Sequence, residues 1–385
     1  MSDRLHLFEG SSFELGTQHA ALVLAKYDEV RRALYSSVYW RRTRRTLPIQ
    51  ILQTLQSYGL VRSLQSSVER VRPAAEYLDG MLSYPGMTRH MLYFLLLTEV
   101  LGADRSRIAQ GCSGIGCWSG QRLLVGKNFD YQYPLAPYQG LLVRKETSRY
   151  RYVAFSPLLM PFGGQLCMNE HGLTISYNYA YSQRGTHPGG LPASYLVHEM
   201  CRGCRNTDEA VSLAQNRDYP IGNGASLAVA DPQNLYLVEV AGDSTGVLRS
   251  QGTLVHTNHF LCTELTALNF SDSITFAPRI PELKQLPILE SSRVRLSKLS
   301  ERVGSIVYLE DLQTTLAEET DENGMNNVFQ TGPFWGTISS YIAIPSEMTV
   351  YEFKDIRSSD PTVYNISTLL SDSLKTISPA PCSQT

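Results

Sequence analysis

One window constrains this chain more than any other: Gly111 to Asp130, GCSGIGCWSGQRLLVGKNFD. Two apolar stretches, Cys112 to Trp118 and Leu123 to Val125, flank a Ser119-Gly120 turn signal, and Gly126-Lys127-Asn128-Phe129-Asp130 follows. Such a sequence folds as a β-hairpin. Its register decides what meets Cys112: Lys127 or Asn128 stands opposite according to loop length. With a three-residue loop, Asp130 shares the cysteine's face one diagonal step away. A slip of one residue exchanges the faces, so the sequence leaves the register open.

The residue types suit nucleophilic chemistry. A thiol attacks only once deprotonated, and its unperturbed pKa is about 8.5. A free α-amine, with a pKa of roughly 7.7–8.0, can serve as base for its own side chain if cleavage makes Cys112 a new N-terminus. Asp130 can hold that amine, and Lys127 can lower the thiol pKa or bind substrate. Gly111 suits the bond to be cut, because glycine tolerates the backbone strain of an N-to-S acyl shift. Taken alone, Gly-Cys-Ser reads as well as buried core or loop.

Composition narrows the class. A net charge of -2 argues against a nucleic-acid partner, and 43% hydrophobic with 18% charged residues fits a soluble globular chain. Met1 to His6 lacks the apolar core of a signal peptide, and the run from Met91 to Leu101 is interrupted by Thr98 and Glu99. The expected setting is the cytoplasm, away from a membrane. Seven irregularly spaced cysteines point to reduced thiols rather than a disulfide framework.

Helical patterning covers Gly16 to Ser36, Pro73 to Leu101, Ala193 to Arg202, Thr207 to Gln215 and Ser292 to Val303, with Thr207-Asp208-Glu209 as a capped start. From Ile108 the pattern turns to strands. Leu227–Ala230 and Leu235–Val240 flank an Asp-Pro-Gln-Asn turn, and Tyr341–Ile344 and Met348–Phe353 form a second pair. Hairpins mixed with helices suit two stacked antiparallel sheets flanked by helices. The Arg41, Arg42, Arg44, Arg45 cluster beside Trp40 reads as a solvated helix end. Cys201-Arg202-Gly203-Cys204 has the spacing of half a zinc site, but nothing nearby completes it. His256 and His259 flank Asn258 and read as structural rather than as a papain-type base.

The Gly111–Asp130 window resembles the precursor cleavage site of the penicillin acyltransferase (isopenicillin-N acyltransferase-like) family. Those enzymes are N-terminal-nucleophile hydrolases related to choloylglycine hydrolase and acid ceramidase. The family pattern is Gly-Cys-(Thr/Ser), a hairpin, then Gly-(Lys/Arg/Gln)-Asn-aromatic-Asp. Cys117 resembles a second hairpin cysteine found in some members. Met168 to Tyr179 resembles the family's Asn-Glu-x-Gly-Leu strand pair, Leu254 to Phe260 its Thr-Asn-His segment, and Ser291 to Arg295 its Ser-Arg stretch. Gly10 to His19 resembles its opening.

The resemblance implies an α+β fold, a four-layer αββα sandwich with a helical N-terminal segment. It implies a pro-segment or small chain over 1–111, a catalytic core over 112–371 and a loose tail over 372–385. It further implies a zymogen cleaved between Gly111 and Cys112. The activity would be that of a cysteine enzyme that hydrolyses non-peptide amides or transfers acyl groups through a Cys112 thioester, in a setting such as natural-product metabolism. Asn258 and Asn178 become oxyanion donors, Asp130 orients the amine, and Arg293 and Lys127 tune charge or hold substrate. No metal or cofactor is needed. The partner is a small amide or acyl donor, with acyl-CoA or an acyl carrier protein among the candidates. The acyl pocket is expected from the hairpins and from loops such as Tyr131 to Tyr138 and Gly185 to Leu191. The competing expectation is an uncleaved, non-catalytic relative that serves as a binding or scaffold protein.

Overall fold

The computed structural model describes residues 4–36, 47–106, 111–182, 187, 189–276, 286–322, 324–358 and 360–372. The Trp40–Arg45 cluster, residues 185, 186 and 188 of the Gly185 to Leu191 loop and the tail from 373 lie outside the described residues.

Two sheets carry the chain. The larger has eight strands in the order β1 (Leu5–Gly10), β4 (Gln139–Glu146), β5 (Tyr152–Pro157), β6 (Leu166–Asn169), β7 (Thr174–Tyr179), β8 (Ile221–Ala230), β9 (Leu235–Gly242) and β10 (Ser244–Arg249). The smaller has six, in the order β11 (Thr253–His256), β2 (Ser113–Ser119), β3 (Arg122–Gln132), β12 (Trp335–Ile344), β13 (Thr349–Phe353) and β14 (Thr362–Asn365). Of these strand pairs, β1 and β4 run parallel; the others are antiparallel hairpins or returns.

Side chains alternate across each strand with period two, and this alternation builds the layers. In β8, Ala225, Leu227 and Val229 face outward, where helices α1 (Ser12–Ser36), α2 (Leu47–Arg70), α3 (Arg72–Ser83), α4 (Arg89–Ser106), α5 (Ala193–Gly203) and α6 (Thr207–Gln215) cover the sheet. Ala228 and Ala230 face inward, against Val125, Tyr341 and Ala343 of the smaller sheet. On that sheet's outer face Ile115, Leu124, Ile342 and Ile344 meet α7 (Ile288–Val303) and α8 (Leu309–Leu316). The result is the expected four layers, helices–sheet–sheet–helices. Replacing Leu227 with alanine, at a side chain closed off between sheet and helices, is expected to cost about 2–5 kcal/mol. The readout is a lower denaturant midpoint at unchanged slope.

Three local readings need revision. The N-terminal segment is not purely helical: Leu5 to Gly10 forms an edge strand of the large sheet, in register with Leu141 to Glu146. A parallel partner this distant leaves no local hairpin signal. The helical reading from Pro73 to Leu101 divides into α3 and α4 around Tyr84–Thr88, where Tyr84, extended at φ -75° and ψ 130° ahead of Pro85, leaves the helix. Asn206, not Thr207, caps α6, its side chain accepting from the Glu209 amide at 3.0 Å, while the Thr207 hydroxyl donates to Asp231.

Candidate active site

The hairpin register sets the site. Ser119 pairs with Arg122, so the loop has two residues, Gly120 and Gln121. Gly120 has a φ of 61°, which the first position of a type II′ turn requires. Ser113 then faces Asn128 and Gly114 faces Lys127. Continued one residue, this register sets Cys112 against Phe129, rather than against either of the partners that the sequence left open. Cys112 and Phe129 both join the core between the sheets. Lys127, on the same face, reaches across to the larger sheet, where its Nζ donates to Asn178 Oδ1 at 2.6 Å and to the Tyr177 carbonyl.

Asp130 lies next to a bulge in the β3–β12 pairing between Thr337 and Ser339. Its Oδ1 accepts from Thr337 Oγ1 at 2.6 Å, and Oδ2 has no hydrogen-bond partner among the described residues. Arg295 of α7 closes the group from the other side. Its Nη1 donates to the carbonyls of Gly111 and Cys112, both at 2.8 Å, and to Ser113 Oγ at 3.1 Å. Its Nη2 donates to Asn258 Oδ1 at 2.8 Å. Cys112, Lys127, Asp130, Asn178, Asn258 and Arg295 are all at most 1% exposed.

Burial governs the charges. It pushes the Cys112 thiol up, against the opposing pull of Lys127 and of a hydrogen bond from the Asp130 backbone. It pulls Lys127 down, opposed by the Cys112 thiol and Asp130. It raises Asp130 to about 7 even with Arg295 and Lys127 nearby. A carboxyl poised there can exchange a proton near neutrality. Burial also holds His256 at about 3 and His259 at about 4, so both stay neutral. His259 Nδ1 bonds Ser292 Oγ at 2.8 Å, and His256 packs against Gly114, where a Cβ would lie 2.1 Å from its Nε2.

The structure thus gathers Gly111, Cys112, Lys127, Asp130, Asn178 and Asn258. Arg293 is not among them: it lies on the exposed side of α7, bonded to Asp272 at 2.9 Å. The inward arginine is Arg295, which the sequence resemblance did not mark. The helix period carried the signal, because Ile288, Ser292, Arg295 and Leu299 form the buried stripe of α7 and position 293 falls outside it. Neither asparagine amide donates to the Gly111 carbonyl among the described residues. Asn258 Nδ2 donates to the Tyr179 carbonyl at 2.7 Å, and Asn178 Nδ2 to those of Thr257 and His256 at 3.2 and 3.4 Å. Cys201 and Cys204 close α5, where their carbonyls accept from Asn169 Nδ2 at 3.0 and 2.8 Å. Among the described residues no group of three metal-ligating side chains forms, and no helix is long and apolar enough to cross a membrane.

Two sheets, antiparallel except where β1 meets β4, pack face to face between helical layers, with the buried Cys112 just ahead of β2 in the smaller sheet. The acyl-coenzyme A:6-aminopenicillanic acid acyl-transferase family matches residues 118–317, more than half of the sequence, and the chain belongs to that family. Membership places it, in the broad sense, among acyl-transferring enzymes. Among solved structures it is similar to an arginine-to-leucine variant of conjugated bile acid hydrolase from Clostridium perfringens, at 13% identity and a TM-score of 0.43, covering 68% of this chain and 94% of that one. A cysteine-to-alanine mutant of the same hydrolase gives 12% identity and a TM-score of 0.42, covering 70% and 97%. No curated protein matches the chain.

Proposed function

We propose that this chain is a self-processing cysteine enzyme that cuts its own Gly111–Cys112 bond and then cleaves a small-molecule amide, or transfers its acyl group, through a Cys112 thioester. The observation that carries the reading is the Arg295 guanidinium, which donates to the Gly111 carbonyl beside a buried thiol, amine and carboxylate. Before cleavage no α-amine exists, so another group must take the thiol proton. Asp130, with its raised pKa, is that base. Sγ attacks the Gly111 carbonyl carbon, and the oxyanion faces Arg295 Nη1. The C–N bond breaks, the freed Cys112 amine takes the proton, and water hydrolyses the thioester to a Gly111 carboxylate and a free thiol.

In the cleaved enzyme the new α-amine becomes the base, and Asp130 Oδ2 supplies its hydrogen-bond acceptor. The substrate carbonyl forms a thioester on the same Sγ, and water or an amine resolves it. Asn258 Nδ2 keeps one N–H beyond its bond to Tyr179, so it joins Arg295 as an oxyanion donor. Asn178 spends its amide on backbone carbonyls and its oxygen on Lys127, which suits it to fixing that lysine. Natural-product metabolism and acyl-CoA or carrier-protein donors fit the transferase form.

Denatured intact mass tests the proposal. Wild-type protein is expected as two chains of roughly 12 and 31 kDa by length, the larger beginning at Cys112, and Cys112→Ala as one uncut chain. A wild-type chain that stays whole and inactive towards amides would favour the non-catalytic, binding reading instead.

A further inference from the structure

The carbon next to the Gly111 carbonyl is closely walled by Gln330. A Cβ placed on Gly111 would lie 2.2 Å from Gln330 Oε1, 2.3 Å from its Nε2 and 2.5 Å from its Cδ. The Gln330 side chain cannot swing aside freely. It is 1% exposed, and its Nε2 donates to the Met325 carbonyl at 2.9 Å. Its backbone is fixed to Thr337 twice, through its N–H to Oγ1 at 2.9 Å and through its carbonyl to the Thr337 amide at 3.0 Å. Thr337 also holds Asp130, so one frame positions both the carboxylate and the glutamine. Gln330 Oε1 has no hydrogen-bond partner among the described residues, and an alkyl branch there would overlap it and seal a polar atom against carbon.

We propose that Gln330 determines specificity at this position, so that the enzyme takes acyl groups with an unsubstituted methylene next to the carbonyl and rejects those whose α-branch takes the place of an L residue's Cβ. The inference rests on the self-cleavage reading above. In self-cleavage the acyl group on Sγ is the chain ending in Gly111; in turnover it is the substrate's. Both thioesters form by the same exchange, with the S–C bond made, the C–N bond broken and the proton passed to the leaving nitrogen. The α-carbon is untouched in each, so the carbon of Gly111 marks where the α-carbon of a substrate sits. A glycine at 111 and an unbranched acyl group are then two results of one constraint.

The test uses the full-length chain as wild type, Gly111→Ala, Gln330→Ala, Gln330→Asn and the Gly111→Ala/Gln330→Ala double variant, each checked for cooperative unfolding. By intact mass, Gly111→Ala is expected to slow cleavage about 10²-fold, the upper range for one added carbon in a tight pocket. The double variant is expected to recover most of that loss. In the cleaved enzymes, kcat/KM is compared for p-nitrophenyl butyrate and p-nitrophenyl (R)-2-methylbutyrate, the enantiomer whose methyl takes the place of an L residue's Cβ. The preference for the unbranched ester is expected to fall at least tenfold in Gln330→Ala and by less in Gln330→Asn. A merely structural glutamine would lower both esters together and rescue nothing. Gly111→Ala cleaving at the wild-type rate, or an ester ratio unchanged by either Gln330 substitution, overturns the inference while self-cleavage stands. A wild-type chain that never cleaves overturns the self-cleavage reading and this inference with it.

Discussion

Arg295→Ala is expected to slow cleavage at Gly111 by about 10²–10³-fold, the usual loss for one oxyanion donor, and Arg293→Ala to leave it unchanged. The two arginines stand two positions apart on α7 in opposite surroundings. Arg295 is buried and makes four hydrogen bonds, to Gly111, Cys112, Ser113 and Asn258. Arg293 pairs with Asp272 in solvent, their side chains 56% and 75% exposed, and such a pair contributes little. Arg295→Lys keeps the charge but loses the fork that spans two carbonyls and an amide oxygen, so it should recover only part of the rate. Time courses of intact mass on the three purified variants decide the matter. Equal loss at 293 and 295 would sink the assignment of Arg295.

Asp130→Asn is expected to lower cleavage by about 10²–10⁴-fold, the range for a lost general base, and to remove a pH dependence. Wild-type cleavage should rise with pH through about 7, where the Asp130 carboxyl ionises. Stability should run the other way. The folded-state pKa lies above the unfolded value, so the folded chain holds this proton more tightly. That contribution is fully present below the unfolded pKa and is lost as pH rises through about 7. At pH 8 the asparagine variant, which carries no buried charge at this position, should therefore gain thermal stability relative to wild type, with the gain vanishing at low pH. Melting temperatures of wild type, held uncut by Cys112→Ala, and of the same chain with Asp130→Asn would show it. A cleavage rate flat from pH 5 to 9 would remove Asp130 as the base.

Much of the fold was legible because it is written at short range. Apolar runs joined by turn residues in Leu227–Val240 and Tyr341–Phe353 marked strands and turns close to those observed, since strands covered on both faces read as short continuous apolar stretches. Helices α5, α6 and α7 followed from their apolar spacing. The edge strand Leu5–Gly10 did not, because its partner Leu141–Glu146 lies far along the chain and a parallel ladder leaves no turn to read. At the site, the short window naming Cys112, Lys127 and Asp130 was visible in sequence, and so were Asn178 and Asn258 through their motifs. The structure brings these residues together; their roles are for the experiments above.

By itself the sequence determined which residues could meet: a hairpin bounded by Gly111-Cys112 and Asp130, and short apolar strands with two faces to bury. Tertiary structure decided the rest. It chose the two-residue turn at Gly120 that points Lys127 at the opposite sheet. It chose Arg295 over Arg293 by the way α7 lies on the smaller sheet, and it set Gln330 against Gly111 from the far end of the chain. Local sequence records the period of an element. Which side chain a distant element presents to a buried carbonyl depends on how whole layers pack, because only packing removes the water that would otherwise satisfy those groups.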